Sequence, residues 1–378
     1  MEARYPFYHT TEDIRSELRR LSSSCAGLSL QSMNEGGDPS RAIDVVSIRA
    51  PGSTPVNKNF VLFGEHSREL ISAESGLHLV KALCGEDRGL ADRAARILKD
   101  SEFQIVVNGN PGSRAKVEQG AFCLRTDPDG VDLNRNWDEE WQAAAVLDAQ
   151  DTNPGPRPFS EPETQTFKKL VESYRPTTFL SVHSGTKGMF MPWAYEKEHL
   201  ATRNQPQMME ILKKLNKDHC DCPFGAAGKV VDYSLSGTCL DWVYDKPTTQ
   251  YAFGFEIYTG PEYAALLEQE WEEKVRNGPG AFYQLNSTLA HPHFKDIFEH
   301  HPSNFVQIKS QHHRGLFDRS ETDCFEQFNP GQEEEYSEVV DNWTRAYLNM
   351  AELVASNLKT SGSGSSAKPA QGNVFTDV

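Results

Sequence analysis

At 378 residues, with 38% hydrophobic and 24% charged residues, the chain can bury a large core and is composed like a globular protein, not a disordered one. A formal net charge of -16 argues against a nucleic-acid binder, which needs a basic face to meet phosphates. No apolar run approaches the ~18 residues of a membrane span, and no signal-peptide h-region is visible at the N-terminus.

In chain order, Ile14, Leu18 and Leu21 give the first segment a helical period. Thr10 or Thr11, followed by Glu12 and Asp13, reads as its N-cap with acidic first-turn residues. Apolar runs at Ile43–Ile48, Asn59–Phe63, Phe103–Val107, Thr178–Val182 and Tyr251–Tyr258 predict strands. Helices are expected between them, beginning near Ser67, Ala91, Glu161 and Ala201. This alternation predicts an α/β fold: a twisted mixed, mostly parallel sheet with helices on both faces. Residues 1–359 are expected to form one large domain. Such sheets bind ligands outside the carboxyl ends of their strands, where His66, Asn108, His183 and Glu256 fall.

The stretch at about 261–323 reads as an insertion and holds six of the 12 histidines, a solvated polar excursion. Trp343, Tyr347, Met350, Leu353 and Val354 form a helical stripe suited to capping the core. Residues 360–378 have the Ser/Gly-rich composition of a disordered tail. Seven cysteines define no disulfide framework, and the Cys220-x-Cys222 pair has no zinc-finger partner, so it reads as a surface loop or one disulfide. Glycosylation sequons at Asn286 and Asn342 tilt localisation toward the secretory route, with a cytoplasmic location left open. No feature of the sequence specifies an oligomeric state.

His66-Ser67-Arg68-Glu69 follows the apolar run ending at Gly64 and opens a helix-like stretch, Leu70 to Leu83. Imidazole and carboxylate three residues apart can share one side of such a turn, and both are ordinary zinc ligands. His9-x-x-Glu12 has the same spacing but no strand before it. His183 ends an apolar strand and completes a His-Glu-His set with room for water. Gly130 to Trp137 clusters Asp132, Asn134, Arg135 and Asn136 just after Arg125; Arg135 with Asn134 suits a carboxylate, which a guanidinium grips with two hydrogen bonds. Glu256 sits inside an apolar strand, where an acid without a partner is costly; a general base is the coherent role.

This ordered set, with Tyr233 and Phe255-Glu256, resembles the zinc metallocarboxypeptidases of the carboxypeptidase A type. The resemblance spans roughly Tyr8 to Gly260, and Asp323-Cys324-Phe325, Asn329-Pro330 and Asp341-Asn342-Trp343 look most like the plant and algal branch. It implies a carboxypeptidase-like fold, one Zn2+ per chain held by His66, Glu69 and His183, and Asp132 orienting His66. It implies that Glu256 activates the zinc-bound water and that Arg125 holds the developing oxyanion. Asn134, Arg135 and Tyr233 are implied to grip the C-terminal carboxylate of a peptide or protein substrate, with Arg68 lining a neighbouring subsite. Leu240 stands where the branch preferring basic terminal residues carries an acid, so neutral or apolar residues are expected. Gly185 and Tyr258 depart from the digestive members, which have an aromatic residue and an arginine there. The catalytic pattern starts almost at Met1, so no inhibitory pro-domain is visible. The clamp also fits an isopeptide or an acylated amino acid, and an inactive binding protein is disfavoured because no ligand or base position is lost.

Overall fold

In the computed structural model, residues 1, 4–143, 151–198, 200–231, 234–265 and 320–363 are described. Helix α1 (Thr11–Ser24) opens on Thr10, whose side chain accepts from Asp13 N while Asp13 reaches back to Thr10 N, a reciprocal cap worth about 1 kcal/mol. That cap explains the Glu12 side of His9-x-x-Glu12; His9 itself turns to Glu74, with Nδ1 2.7 Å from Oε2.

The sheet contains β1 (Leu28–Met33), β2 (Ile43–Ile48), β3 (Asn57–Phe63), β4 (Ser101–Val106), β5 (Thr178–His183), β6 (Lys187–Met191), β7 (Phe224–Ala226) and β8 (Tyr251–Ile257). Their spatial order is β1-β2-β4-β3-β5-β8-β6-β7. The central pairs β4–β3, β3–β5 and β5–β8 are parallel, as is β6–β7. The pairs β1–β2, β2–β4 and β6–β8 are antiparallel. The five predicted strands are present. The three missed ones, β1, β6 and β7, lie at or near the sheet edges, where short, partly exposed strands lack a continuous apolar run.

Helices α2 (Leu70–Leu83), α3 (Ala91–Asp100), α4 (Pro111–Val117), α5 (Pro162–Tyr174), α6 (Gln205–Leu215), α7 (Ala227–Val231), α8 (Cys239–Asp245), α9 (Glu321–Phe328) and α10 (Glu333–Ser363) complete the described fold. Alternation along β8 separates its two faces. Phe255 meets Trp343 and Tyr347 of α10, whereas Gly254 faces Leu240 of α8. Helices therefore cover both sides of the sheet. The Trp343 stripe is largely core, as expected: Trp343, Tyr347, Met350 and Val354 are buried, Leu353 is half-buried, and Trp343 Nε1 donates to Ile257 O at 2.8 Å. Each such large apolar side chain stabilises the fold by roughly 2–3 kcal/mol.

One expectation about the chain's later part changes. Helix α10 runs to Ser363, past the expected start of the tail at 360, because propagation costs an established helix little. The rest of the tail and most of the insertion, residues 266–319 with their histidines and Asn286, lie outside the described residues. The Asn342 sequon sits inside α10, and its side chain is engaged with His219, donating to its carbonyl at 2.7 Å. Three disulfides, Cys25–Cys84, Cys123–Cys324 and Cys220–Cys222, leave Cys239 as a buried free thiol. The Cys220–Cys222 pair is buried, not a surface loop.

Candidate metal centre

Strand β3 ends at Phe63, and the chain turns at Gly64 with φ +65°, where a Cβ would come within 3.2 Å of Asn108 Cα. A left-handed, crowded turn of this kind favours glycine. His66 follows, and Glu69 occupies the N-cap position of α2 with its N–H bonded to His66 O at 3.2 Å. The two side chains thus meet on one side of the turn before the helix, as expected for a strand that turns into a helix here. The helix starts at Leu70 because the turn consumes Ser67 to Glu69.

The last residue of β5, His183, completes the cluster. His66 Nδ1 lies 2.8 Å from Glu69 Oε1, and His183 Nδ1 lies 3.2 Å from Glu69 Oε2. The two Nδ1 atoms are 3.1 Å apart, and all three side chains are buried. Both rings have a separate partner at Nε2: Asp132 Oδ1 at 3.1 Å for His66 and Ser181 Oγ at 2.7 Å for His183. Protons placed at both Nε2 atoms leave two Nδ1 lone pairs facing one another, and a cation relieves that repulsion. A tetrahedral ion with bonds of about 2.0–2.2 Å needs ligand atoms roughly 3.3 Å apart, close to the spacing here. The donor set therefore fits a divalent metal.

Asp132 is the hub beside it. Its Oδ1 also accepts from Asn134 N at 3.0 Å, and its Oδ2 accepts from Arg125 Nε at 3.0 Å. Burial alone would raise the Asp132 carboxyl, but Arg125 and His66 hold it well below the usual carboxylate range. Arg125 Nη1 also lies 3.6 Å from Glu69 Oε1, so one guanidinium faces two carboxylates of the cluster.

Glu256 stands next to His183 across the β5–β8 pairing. Its residue is partly exposed, yet Oε2 is buried with no hydrogen-bond partner. Burial first, and the Glu69 charge second, push its carboxyl up to about 7. An acid with an unpartnered oxygen at the mouth of a metal-ligand set is suited to exchanging a proton with a bound molecule.

Asn134, Arg135, Leu240 and Arg68, also predicted, have the following surroundings. Asn134 and Arg135 lie in the short 3-10 turn Leu133–Arg135; Asn134 Oδ1 accepts from Cys239 N at 2.9 Å, and Arg135 Nη1 donates to Asn134 O at 2.7 Å. Leu240 is buried opposite Gly254, where an added Cβ would sit 3.9 Å from its Cδ2. Asp241 points elsewhere: its carboxylate accepts from Ala194 N and Tyr195 N, each at 2.9 Å. Arg68 lies over the Phe328 ring at 4.2 Å and donates to Cys123 O. Tyr233 lies outside the described residues.

The model of the family described as zinc carboxypeptidases matches residues 39–277. The chain belongs to the zinc carboxypeptidase family. Among relatives, carboxypeptidase A5 of Macaca fascicularis is 27% identical over 70% of this chain and 63% of its own length. Carboxypeptidase A2 of Mus musculus is 26% identical over 69% of this chain and 64% of its own. The chain thus spans less than two thirds of the length of these relatives. Bovine thrombin-activatable fibrinolysis inhibitor, solved in complex with tick carboxypeptidase inhibitor, shares the fold. That likeness has a TM-score of 0.62 at 16% identity and covers 93% of this chain and 98% of that one. With membership of a zinc family, the ion that the His66-Glu69-His183 set fits is zinc.

Two features of this zinc carboxypeptidase chain escaped sequence reasoning. Phe328 of α9 fills the space beside Gly185, where any Cβ would collide with its ring, so an aromatic side chain reaches the site's edge from a distant segment. Glu65, Ser181 and Cys239 form a buried polar group behind His183. An acid placed between an apolar strand and a candidate ligand, as in Phe63-Gly64-Glu65-His66, was the available signal for it.

Proposed function

We propose that the protein is a zinc-dependent exopeptidase that hydrolyses the C-terminal peptide bond of peptides and proteins. The observation that carries this reading is the convergence of the two imidazole Nδ1 atoms and the Glu69 carboxylate beside the unpartnered Glu256 Oε2. When bound, zinc supplies a Lewis acid for the scissile carbonyl and for water.

The chain's own residues do the rest. Asp132 accepts from His66 Nε2 and so keeps Nδ1 free as a ligand atom. Glu256 takes a proton from the attacking water as the C–O bond forms, and delivers it to the amine as the C–N bond breaks. Arg125, close to Glu69 and Asp132, stabilises the developing oxyanion. Asn134, Arg135 and Tyr233 hold the substrate's free carboxylate, and Arg68 lines the next subsite. Leu240 forms the apolar floor for the terminal side chain, and Asp241, committed to two backbone amides, adds no charge there. Neutral or apolar terminal residues are the expected preference.

The catalytic domain is proposed to span residues 1–359, interrupted by the histidine-rich insertion at about 261–323. Within the family we place the chain nearest the plant and algal branch, on the Asp323-Cys324-Phe325 and Asn329-Pro330 motifs. Three disulfides support a secreted or secretory-pathway location, since such bonds persist in oxidising compartments. No helix among the described residues is long and apolar enough to cross a membrane.

A substrate panel tests this function: peptides with free C-termini, side-chain-linked isopeptides and acylated amino acids, each with and without chelator. Release of C-terminal amino acids, abolished by chelation and restored by zinc, is expected. Cleavage confined to isopeptides or acylated amino acids overturns the peptide assignment.

A further inference from the structure

On the side of His183 away from the ligand cluster, four buried side chains from separate segments meet in apolar surroundings. His183 Nε2 lies 2.7 Å from Ser181 Oγ, and the Ser181 hydroxyl is near enough to the Cys239 thiol to favour its ionised form. Cys239 Sγ lies 3.5 Å from Glu65 Oε2, and Glu65 Oε1 accepts from Trp137 Nε1 at 3.0 Å. Glu65 Oε2 is itself 3.7 Å from His183 Nε2. Glu65, Ser181 and Cys239 are each 1% exposed, so water does not compete for these contacts.

The chemistry of the groups gives the series a direction. An indole N–H can only donate, and an ionised carboxylate can only accept. With Glu65 as the terminal acceptor, the Cys239 thiol donates to it and accepts from the Ser181 hydroxyl. The hydroxyl, its proton spent on sulfur, accepts from His183 Nε2–H. His183 is thereby fixed with its proton on Nε2 and a lone pair on Nδ1, the atom 3.2 Å from Glu69 Oε2. Asp132 does the same for His66 by direct contact.

We infer that Glu65 is a positioning residue for the metal centre, acting through Cys239 and Ser181 to fix the tautomer and orientation of His183. This rests on the reading of His183 as a zinc ligand. A carboxylate kept only to satisfy Trp137 predicts no effect on metal binding, because a glutamine oxygen accepts the same indole N–H.

Zinc affinity of the full chain, measured by competition with a chromophoric chelator alongside the melting temperature of the metal-free protein, tests the inference. Glu65→Gln is expected to weaken zinc binding about 10–100-fold, the usual effect of losing a group that orients a ligand, with the metal-free melting temperature little changed. Cys239→Ala breaks the series and is expected to weaken binding about tenfold, whereas Cys239→Ser, which keeps a donor and an acceptor, restores it. The cysteine pair decides the matter if Glu65→Gln does not fold. Wild-type affinity in Glu65→Gln, or equal affinity in Cys239→Ala and Cys239→Ser, overturns the role of Glu65 alone. A wild-type chain that takes up no zinc overturns the ligand reading and this inference with it.

Discussion

His183 and Glu256 are register partners on the neighbouring parallel strands β5 and β8, both at the carboxyl end of the sheet. The proposed metal ligand and the proposed proton acceptor are thus fixed side by side by backbone pairing, not by loop conformation. Replacing the carboxylate by an amide leaves that pairing intact. Glu256→Gln is expected to retain one equivalent of zinc while kcat falls about 10²–10⁴-fold. Turnover equal to wild type contradicts the base assignment.

The environment of Glu256 gives a pH dependence with a definite sign. Burial and the Glu69 charge push its carboxyl up to about 7, and a bound dication acts in the opposite sense to Glu69. A base must be ionised, so kcat/KM falls on the acid side, about tenfold per pH unit below a pKa at or below that value. A pH–rate profile of the zinc-loaded chain is expected to show this limb, and the residual activity of Glu256→Gln is expected to lack it. A limb that persists unchanged in the variant belongs to another group.

Asp132 joins His66, Asn134 N and Arg125 through one buried carboxylate. Asp132→Asn keeps the shape but removes the charge, and is expected to weaken zinc binding about 10–100-fold in chelator competition. Unchanged affinity shows that the His66 ring is held by packing alone.

Leu240 faces Gly254, and Asp241 is turned into the backbone of residues 194–195. Leu240→Asp is expected to lower kcat/KM about tenfold or more for apolar C-terminal residues and to raise it for lysine and arginine. A peptide library varied at its last position measures the switch. A wild-type chain that already favours basic residues contradicts the apolar floor.

The Cys123–Cys324 bridge ties the loop before Arg125 to α9, across 201 residues of sequence. That helix carries Phe328 against Arg68, and Asn329 Nδ2 donates to Arg68 O at 2.9 Å. Replacing both cysteines by alanine is expected to cost about 2–5 kcal/mol in denaturant unfolding under non-reducing conditions. Equal stability of variant and wild type shows that the bridge does not form.

Legibility from sequence followed the physics of each residue. The central strands carry continuous apolar runs, because both faces of a parallel sheet are covered, and their ends marked His66, His183 and Glu256. Edge strand β1 alternates toward solvent and β7 has three residues, so neither gives such a run. The spacing of His66 and Glu69 and the turn that joins them were readable, but the left-handed backbone at Gly64 that starts the turn was not, since periodicity does not encode it. The acid at Glu65 was the one visible hint of the group it forms with Ser181 and Cys239, because their association depends on three distant segments folding together. Phe328 escaped for the same reason, as only Gly185 lacking a side chain hints at a ring from elsewhere.

The proposed zinc centre is expected to act on the bond next to a free terminal carboxylate. Its most direct test is a pair of peptides identical except for a free or amidated C-terminus, incubated with the zinc-loaded chain. Release of the last residue from the free peptide, with the amidated one resisting by about 100-fold or more, is the predicted result, because the Asn134-Arg135 clamp loses its anion. Equal cleavage of the two peptides contradicts the claim.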